Sequence, residues 1–248
     1  MKTANDFIRS WRPFRVPPAP GAVYVWCLHV DRDFGTVFPF YALLDQTERR
    51  RADRFHFERD AVCYILTRAH LRLILASALG IDAASVRFAY GTTGKPRIEG
   101  EGGPWFNVSH SGGIALMSFS SDRRVGVDIE RIRPMGDHDP AMSFSPEEVR
   151  DLERLPEPQQ EQAFFRGWTR KEAYLKARGD GLGFGLQSFS VTLAPDRSPC
   201  LLHVDGFPEE PSLWDFWDLP VDRGFSASLV AEAPINADSC AAPVFTVI

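Results

Sequence analysis

The sequence predicts an α+β fold of two similar lobes, each a small antiparallel sheet packed on a long helix. Three observations carry that prediction. The predicted elements run strand, long helix, strands, and then helix, long helix, strands, so one plan is traversed twice without a residue-level repeat. Each half holds one long predicted helix that closes on a glycine, Gly80 in the first and Gly179 in the second. The turn Ser121–Arg124 joins the halves, giving lobes 1–122 and 123–248.

The first lobe opens with "GAVYVWCLHV" (Gly21–Val30), apolar and β-branched, a buried strand. "LLDQTERRRADRFHF" reads as a helix capped by Asp45. In "RDAVCYILTRAHLRLILASALG", Ile65, Ala69, Leu73 and Ala76 recur at helical spacing. "SVRFAY", "KPRI", "PWFNVSH", "IALMSFS" and "RVGVDIERI" are short strands between Gly, Ser and Asp turns. In the second lobe "SPEEVRDLERL" starts on a capping box, with Ser145 as cap, Pro146 next and Glu148 three residues on. "EPQQEQAFFRGWTRKEAYLKARG" is the long helix. "SFSVTLAP", "PCLLHVDG", "SLWDFWDL" and "GFSASLVAEA" are strands. The glycines of "GDGLGFG" follow a helix instead of opening one, which predicts a flexible loop and not a dinucleotide fingerprint.

The 248 residues are 44% hydrophobic and 25% charged, a soluble globular composition. No apolar run reaches the ~18 residues of a membrane span. The stretch "MKTANDFIRSWRPFRVPPAPG" has neither the apolar core nor the cleavage site of a signal peptide and predicts an irregular lead-in. Cys27, Cys63, Cys200 and Cys240 lack metal-ligand or CxxC spacing and are expected as reduced thiols in a cytoplasmic protein. The net charge of −5 is uneven: residues 1–124 hold 17 Lys and Arg against 12 Asp and Glu (+5), and residues 125–248 hold 11 against 21 (−10). A basic half attracts phosphates and an acidic half can hold a metal, although a chance gradient on a solvated surface accounts for the charge as well. An acidic chain with no continuous basic stripe argues against nucleic acid, and no Walker-type loop is present.

Three stretches carry chemistry. In "VGVDIER", strand alternation turns Val127 and Ile129 one way and Asp128 and Glu130 the other. Two carboxylates about 7 Å apart on one face repel each other unless a cation lies between them; a half-exposed acidic face is the plain alternative. On the second long helix Trp168, Glu172 and Lys176 form one stripe. A surface pair at this spacing stabilises by only about 0.3–0.5 kcal/mol. If the stripe meets the strand face, Asp128, Glu130 and Glu172 converge, and three hard oxygen donors suit Mg²⁺ completed by water and substrate phosphate. Lys176 then reaches that phosphate from one turn further on. In the third stretch, "GTTGKPRI" followed by "WFNVSHSGG", the stiff Gly94-Lys95-Pro96 turn presents a lysine, and Asn107, Ser109, His110 and Ser111 gather donors around an imidazole. Such a cluster binds phosphate oxygens, or is simply a polar turn. Adjacent Ser and His rarely supply nucleophile geometry, and no G-x-S-x-G elbow is present. The basic run Glu48–Arg54 is a solvated helix face or a further phosphate contact.

In this order, "GKP", "FNVSHS", "GVDIE" and "W-T-R-K-E-A-Y-L-K-A…G-x-G-L" over Gly94–Leu182 resemble the 4′-phosphopantetheinyl transferase superfamily. The length is similar to the Sfp type, which fuses two pseudo-symmetric lobes with the active site at their junction. The resemblance implies an enzyme, a holo-[acyl-carrier-protein] synthase or 4′-phosphopantetheinyl transferase. It moves the phosphopantetheine arm of coenzyme A onto a serine of an acyl, polyketide or nonribosomal-peptide carrier and releases 3′,5′-ADP, as in secondary metabolite biosynthesis. It implies Asp128, Glu130 and Glu172 as ligands of Mg²⁺ or Mn²⁺, and Lys176 as the cation on the pyrophosphate. His110, Ser109, Lys95 and Pro96 are implied as coenzyme A contacts, with Arg51 and Arg68. Glu172 is the candidate base, and Lys176 and His110 complete the implied catalytic set. One departure is Glu48, where Sfp-type relatives often carry lysine; Arg49, Arg50 and Arg51 stand beside it to compensate. The implied carrier is acidic and helical and docks near Met135–Leu155, with Phe144 and Val149 as apolar contacts. The fused lobes imply a cytoplasmic monomer that binds neither membrane nor nucleic acid. A coenzyme A or carrier-binding protein without chemistry is the alternative.

Overall fold

The computed structural model describes residues 8, 11, 13, 18–30, 37–91, 94–100, 102–134, 139–179, 181–234 and 242–248. The fold starts with β1 (Tyr24–His29), the single turn α1 (Phe38–Tyr41) and α2 (Gln46–Ala52). Asp45 caps α2 as expected, and the reciprocal Asp45–Glu48 bonds make a capping box. α2 is shorter than its sequence pattern: the chain turns at Asp53, whose carboxylate accepts from the Tyr41 hydroxyl at 3.0 Å, and restarts as α3 (Glu58–Leu79). α3 closes on Gly80 in the left-handed conformation, φ 67°.

α3 is buried almost all round and not along the single stripe expected. Its best window has a mean hydropathy of 1.4, so by length and composition alone it could cross a membrane, which corrects the expectation that no run reaches that length. In this fold 67% of that window is buried inside the protein.

β2 (Phe88–Tyr90) and β3 (Pro96–Ile98) form a small hairpin, followed by β4 (Trp105–Ser111), β5 (Ile114–Ser120) and β6 (Val125–Arg131). The second half continues with α4 (Pro146–Glu153), α5 (Glu157–Arg178), β7 (Phe189–Val191), β8 (Leu201–Val204), β9 (Trp214–Asp218), β10 (Phe225–Glu232) and β11 (Val244–Val247). α4 has the expected Ser145–Glu148 capping box, and α5 ends on Gly179.

One sheet has the order β11-β1-β5-β4 and another β6-β10-β9, with β7 and β8 as a second small pair. The first sheet is mixed and not antiparallel: β11, a strand absent from the sequence reading, joins β1 in parallel from Tyr24↔Val244 to Cys27↔Val247. It covers an edge of β1 that would otherwise present unpaired backbone groups.

Strand alternation sets the layers. Trp26, Leu28, Ala115, Met117 and Phe119 face α3 in one core. Val25, Cys27, Ile114 and Leu116 face the other way, against Val127, Ile129, Ala227 and Leu229 of the second sheet. The far side of the second sheet carries α5, whose Ala173, Tyr174 and Ala177 pack with Phe216 and Val230. The order is therefore helix, sheet, sheet, helix, and the acidic residues of β6 lie between the second sheet and α5.

Candidate active site

α5 lies unusually close to β6. A Cβ on Gly126 would stand 2.1 Å from the carbonyl oxygen of Ala173 and 2.3 Å from the nitrogen of Ala177, so only glycine admits this approach. Gly126, Asp128 and Glu130 alternate on one face, and that face is roofed by the helix. The rotation of α5 is fixed by the residues before Glu172. Thr169 shares a hydrogen bond with Ser228 of β10 at 2.9 Å. Arg170 donates to both carboxylate oxygens of Asp218 on β9, at 2.9 and 2.6 Å. Lys171 donates to Glu148 of α4 at 2.5 Å and to the Phe189 carbonyl at 2.7 Å. With these three side chains anchored, Glu172 and Lys176 turn toward β6.

The other wall is β4. β4 and β6 are edges of separate sheets. Where a backbone ladder would run, alternate side chains of β4 take its place. Asn107 Oδ1 accepts from Val127 N–H at 3.0 Å, Ser109 Oγ from Ile129 N–H at 3.4 Å, and Ser111 Oγ from Arg131 N–H at 3.0 Å. The two hydroxyls also donate to the acidic side chains between those amides, Ser109 to Asp128 at 2.8 Å and Ser111 to Glu130 at 3.0 Å.

Lys176 Nζ donates to Asp128 Oδ1 at 2.6 Å and to Ser109 Oγ at 3.2 Å. Burial pushes the Asp128 carboxyl above its ordinary range despite the bonds from Lys176, Ser109 and Ile129. Burial and repulsion by Asp128 push Glu130 up. Burial also raises Glu172, against the pull of Lys176 and with the repulsion of Asp128 and Glu130. The three carboxylates thus lie within one another's electrostatic reach. The expected convergence is nonetheless partial: among the described residues no group of three His, Cys, Asp or Glu side chains is gathered closely enough to enclose a metal ion.

The donor set still fits a divalent cation. All three donors are carboxylates, and each is held in a state that an added positive charge would relieve. The buried Oδ2 of Asp128 accepts no hydrogen bond among the described residues.

Where the end of β4 and its turn into β5 meet the start of α3, a cavity of about 800 Å³ is lined by Arg51, Arg59, Tyr64, His110, Ser111 and Arg131, among others. Arg51 lies over the Tyr64 ring, 5.2 Å from its centroid. His110 and Arg51, both expected to meet phosphates, come together here. Ser109 does not join them, because its hydroxyl is buried against Asp128. Lys95 Nζ, just before Pro96 at the start of β3, donates to the Lys176 carbonyl. Burial, Arg124 and Lys176 push the Lys95 ammonium down to about 8.

Arg68 is placed differently from the sequence reading. Its guanidinium pairs with Glu48, donates to the Tyr90 hydroxyl at 2.9 Å and stacks 3.8 Å from the Phe88 centroid. Glu48 also takes the fully buried Arg72 at 2.7 Å. Glu48 is therefore an internal anchor for two arginines. Phe144 is also corrected as a carrier contact: it is buried, its ring edge-on to Phe164 at 5.2 Å. Met142 nearby is 73% exposed. Residues 135–138 of the expected docking segment, and Cys240, lie outside the described residues.

The sequence reading did not single out Arg59, Tyr64 and Arg131 in the cavity, Arg170 and Lys171 as anchors of α5, or Gly126. The last had a legible signal, since a glycine interrupting an otherwise apolar strand marks close backbone approach.

Both halves of the chain match known proteins. Residues 124–230 match the profile of the 4′-phosphopantetheinyl transferase superfamily, and residues 36–121 that of the 4′-phosphopantetheinyl transferase N-terminal region. The chain is 32% identical over 219 residues to the 4′-phosphopantetheinyl transferase HetI of Nostoc sp., a match spanning 78% of this chain and 92% of that protein. It is 29% identical over 195 residues to the 4′-phosphopantetheinyl transferase Sfp of Bacillus subtilis, spanning 79% and 85%. To the 4′-phosphopantetheinyl transferase psf-1 of Bacillus pumilus it is 34% identical over 191 residues, spanning 77% and 80%. The motifs first read along β4, β6 and α5 thus sit inside a match that runs through most of the chain, which belongs to the 4′-phosphopantetheinyl transferase superfamily and to its Sfp type.

Proposed function

We propose that this enzyme transfers the 4′-phosphopantetheine arm of coenzyme A to a serine hydroxyl of an apo-carrier protein and releases 3′,5′-ADP. The observation that carries this reading is the meeting of Ser109 from the first half with Asp128 and Lys176 from the second. It brings an acidic cluster next to a cavity lined by Arg51, Arg59, His110 and Arg131. In this reading residues 1–122 bind the coenzyme A phosphates, residues 123–248 supply the acidic cluster, and the reaction takes place at the junction. The arginines and His110 hold phosphate oxygens by charge-assisted hydrogen bonds.

Asp128, Glu130 and Glu172 would hold Mg²⁺ or Mn²⁺, which when bound supplies positive charge to the pyrophosphate. Lys176 adds its ammonium to the same oxygens. The carrier serine oxygen bonds to the phosphorus next to pantetheine, the bond from that phosphorus to the bridging oxygen breaks, and the bridging oxygen leaves with 3′,5′-ADP. Glu172, whose carboxyl burial pushes above the ordinary glutamate range, takes the serine proton. The reading extends to a cytoplasmic monomer serving acyl, polyketide or nonribosomal-peptide carriers, including those of secondary metabolism.

Intact-mass analysis of a panel of apo-carriers incubated with the enzyme, coenzyme A and Mg²⁺ tests it. At least one carrier is expected to gain the mass of one phosphopantetheine arm, and EDTA is expected to abolish the gain. A panel left wholly unmodified, or transfer indifferent to EDTA, overturns the reading.

A further inference from the structure

Of the three β4 side chains that join the two sheets, Ser111 stands at the boundary between the acidic cluster and the cationic cavity. It lines that cavity beside His110 and Arg131. Its hydroxyl has one proton, given to Glu130 Oε2 at 3.0 Å, and its oxygen accepts from Arg131 N–H at 3.0 Å. Both bonds constrain the same group: the backbone amide fixes the hydroxyl rotor, and the rotor then has one carboxylate to point at. Glu130 needs such a constraint. It is half-buried and carried on a longer stem than Asp128, which Lys176 and Ser109 already hold. A long side chain on a half-open face samples several rotamers unless a bond selects one.

We propose that Ser111 is a positioning residue for Glu130, selecting the carboxylate rotamer that receives the divalent cation. The proposal rests on the reading of Asp128, Glu130 and Glu172 as metal ligands. It concerns this chain's own hydroxyl and carboxylate, and so it is testable by metal affinity without turnover.

Mn²⁺ binding, followed by loss of the free-ion electron paramagnetic resonance signal, is measured for the wild-type chain and for Ser111→Ala, Ser111→Thr, Glu130→Gln and Ser111→Ala/Glu130→Gln. Loss of a group that orients a metal ligand typically weakens affinity about 10–100-fold, which is the range expected for Ser111→Ala. Ser111→Thr keeps the hydroxyl and is expected to lie near wild type. In the Glu130→Gln background Ser111→Ala is expected to add nothing, because its effect runs through that carboxylate. A loss that came only from a loosened strand would persist there, so the double variant separates positioning from folding. Mn²⁺ affinity unchanged in Ser111→Ala overturns the proposal, as does Thr as weak as Ala, or a full Ser111→Ala loss in the Glu130→Gln background. A wild-type chain that binds no Mn²⁺ overturns the metal-ligand reading itself and the proposal with it.

Discussion

Lys176 Nζ lies 2.6 Å from Asp128 Oδ1, while the other oxygen of that buried carboxylate accepts no hydrogen bond among the described residues. One oxygen is neutralised within the protein and the other is left open. Lys176→Met removes the cation and leaves Asp128 buried without a counter-charge. Breaking a fully buried pair costs about 3–5 kcal/mol, and because Lys176 is partly exposed we expect about 2 kcal/mol in urea unfolding. Carrier loading in single turnover should fall at least about 100-fold, the loss seen when one preorganised donor to developing charge is removed. A rate within threefold of wild type would show that Lys176 does not act on the pyrophosphate.

Gly126→Ala tests the packing that brings the acids under the helix. The added methyl meets the backbone of Ala173 and Ala177. Neither can yield as a flexible side chain would, so the variant should lose about 3 kcal/mol, the upper end for overpacking, together with transfer activity. Gly91→Ala is the control: nothing lies within 4 Å of the new Cβ, and stability should change by less than about 0.5 kcal/mol. Equal stabilities of the two variants would contradict the account of α5.

The anchor behind Glu172 is equally open to test. Glu148→Gln removes the charge that holds the buried Lys171 ammonium and is expected to destabilise by about 3 kcal/mol. Glu148→Gln combined with Lys171→Met removes the stranded ammonium too and should recover part of that loss. A double variant less stable than Glu148→Gln alone would mean that Lys171 makes its contribution elsewhere.

Much of this arrangement was legible in the sequence. The Ser145 and Asp45 caps, the glycine stops of both long helices, and the alternation that separates Val127 and Ile129 from Asp128 and Glu130 are local signals, and local physics decides them. The same alternation separates Ser109 from His110, although the two had been read as one phosphate-binding cluster. Three features needed partners distant in sequence. β11 pairs with a strand more than 200 residues away, Arg68 is claimed by Glu48 across a helix pair, and the burial of α3 on every side follows from what surrounds it. A charge pattern alone does not tell an arginine that lines an open cavity from one held in an internal ion pair. Arg51 and Arg68 are read alike in sequence, yet only Arg51 lines the cavity.

The acidic cluster also fixes the sign of a pH effect. Glu172 has a raised carboxyl, so between its ordinary and raised values the folded chain binds more protons than the unfolded chain. Stability from this group therefore falls as pH rises through that window and is fully recovered below the ordinary glutamate range. In EDTA at neutral pH, Glu172→Gln should therefore melt above wild type. The gap should close on acidification and vanish or reverse in saturating Mg²⁺. A wild type more stable than Glu172→Gln in EDTA at neutral pH would rule out the strained acidic cluster.

The central claim is that Asp128, Glu130 and Glu172 hold one divalent cation. The most direct measurement is an anomalous difference map from crystals grown with Mn²⁺ and coenzyme A. The account predicts a single strong peak within ligand distance, about 2.0–2.3 Å, of an oxygen from each of the three carboxylates, with Asp128 Oδ2 among them. A peak bound elsewhere, or one in contact with no more than one of the three, would contradict it.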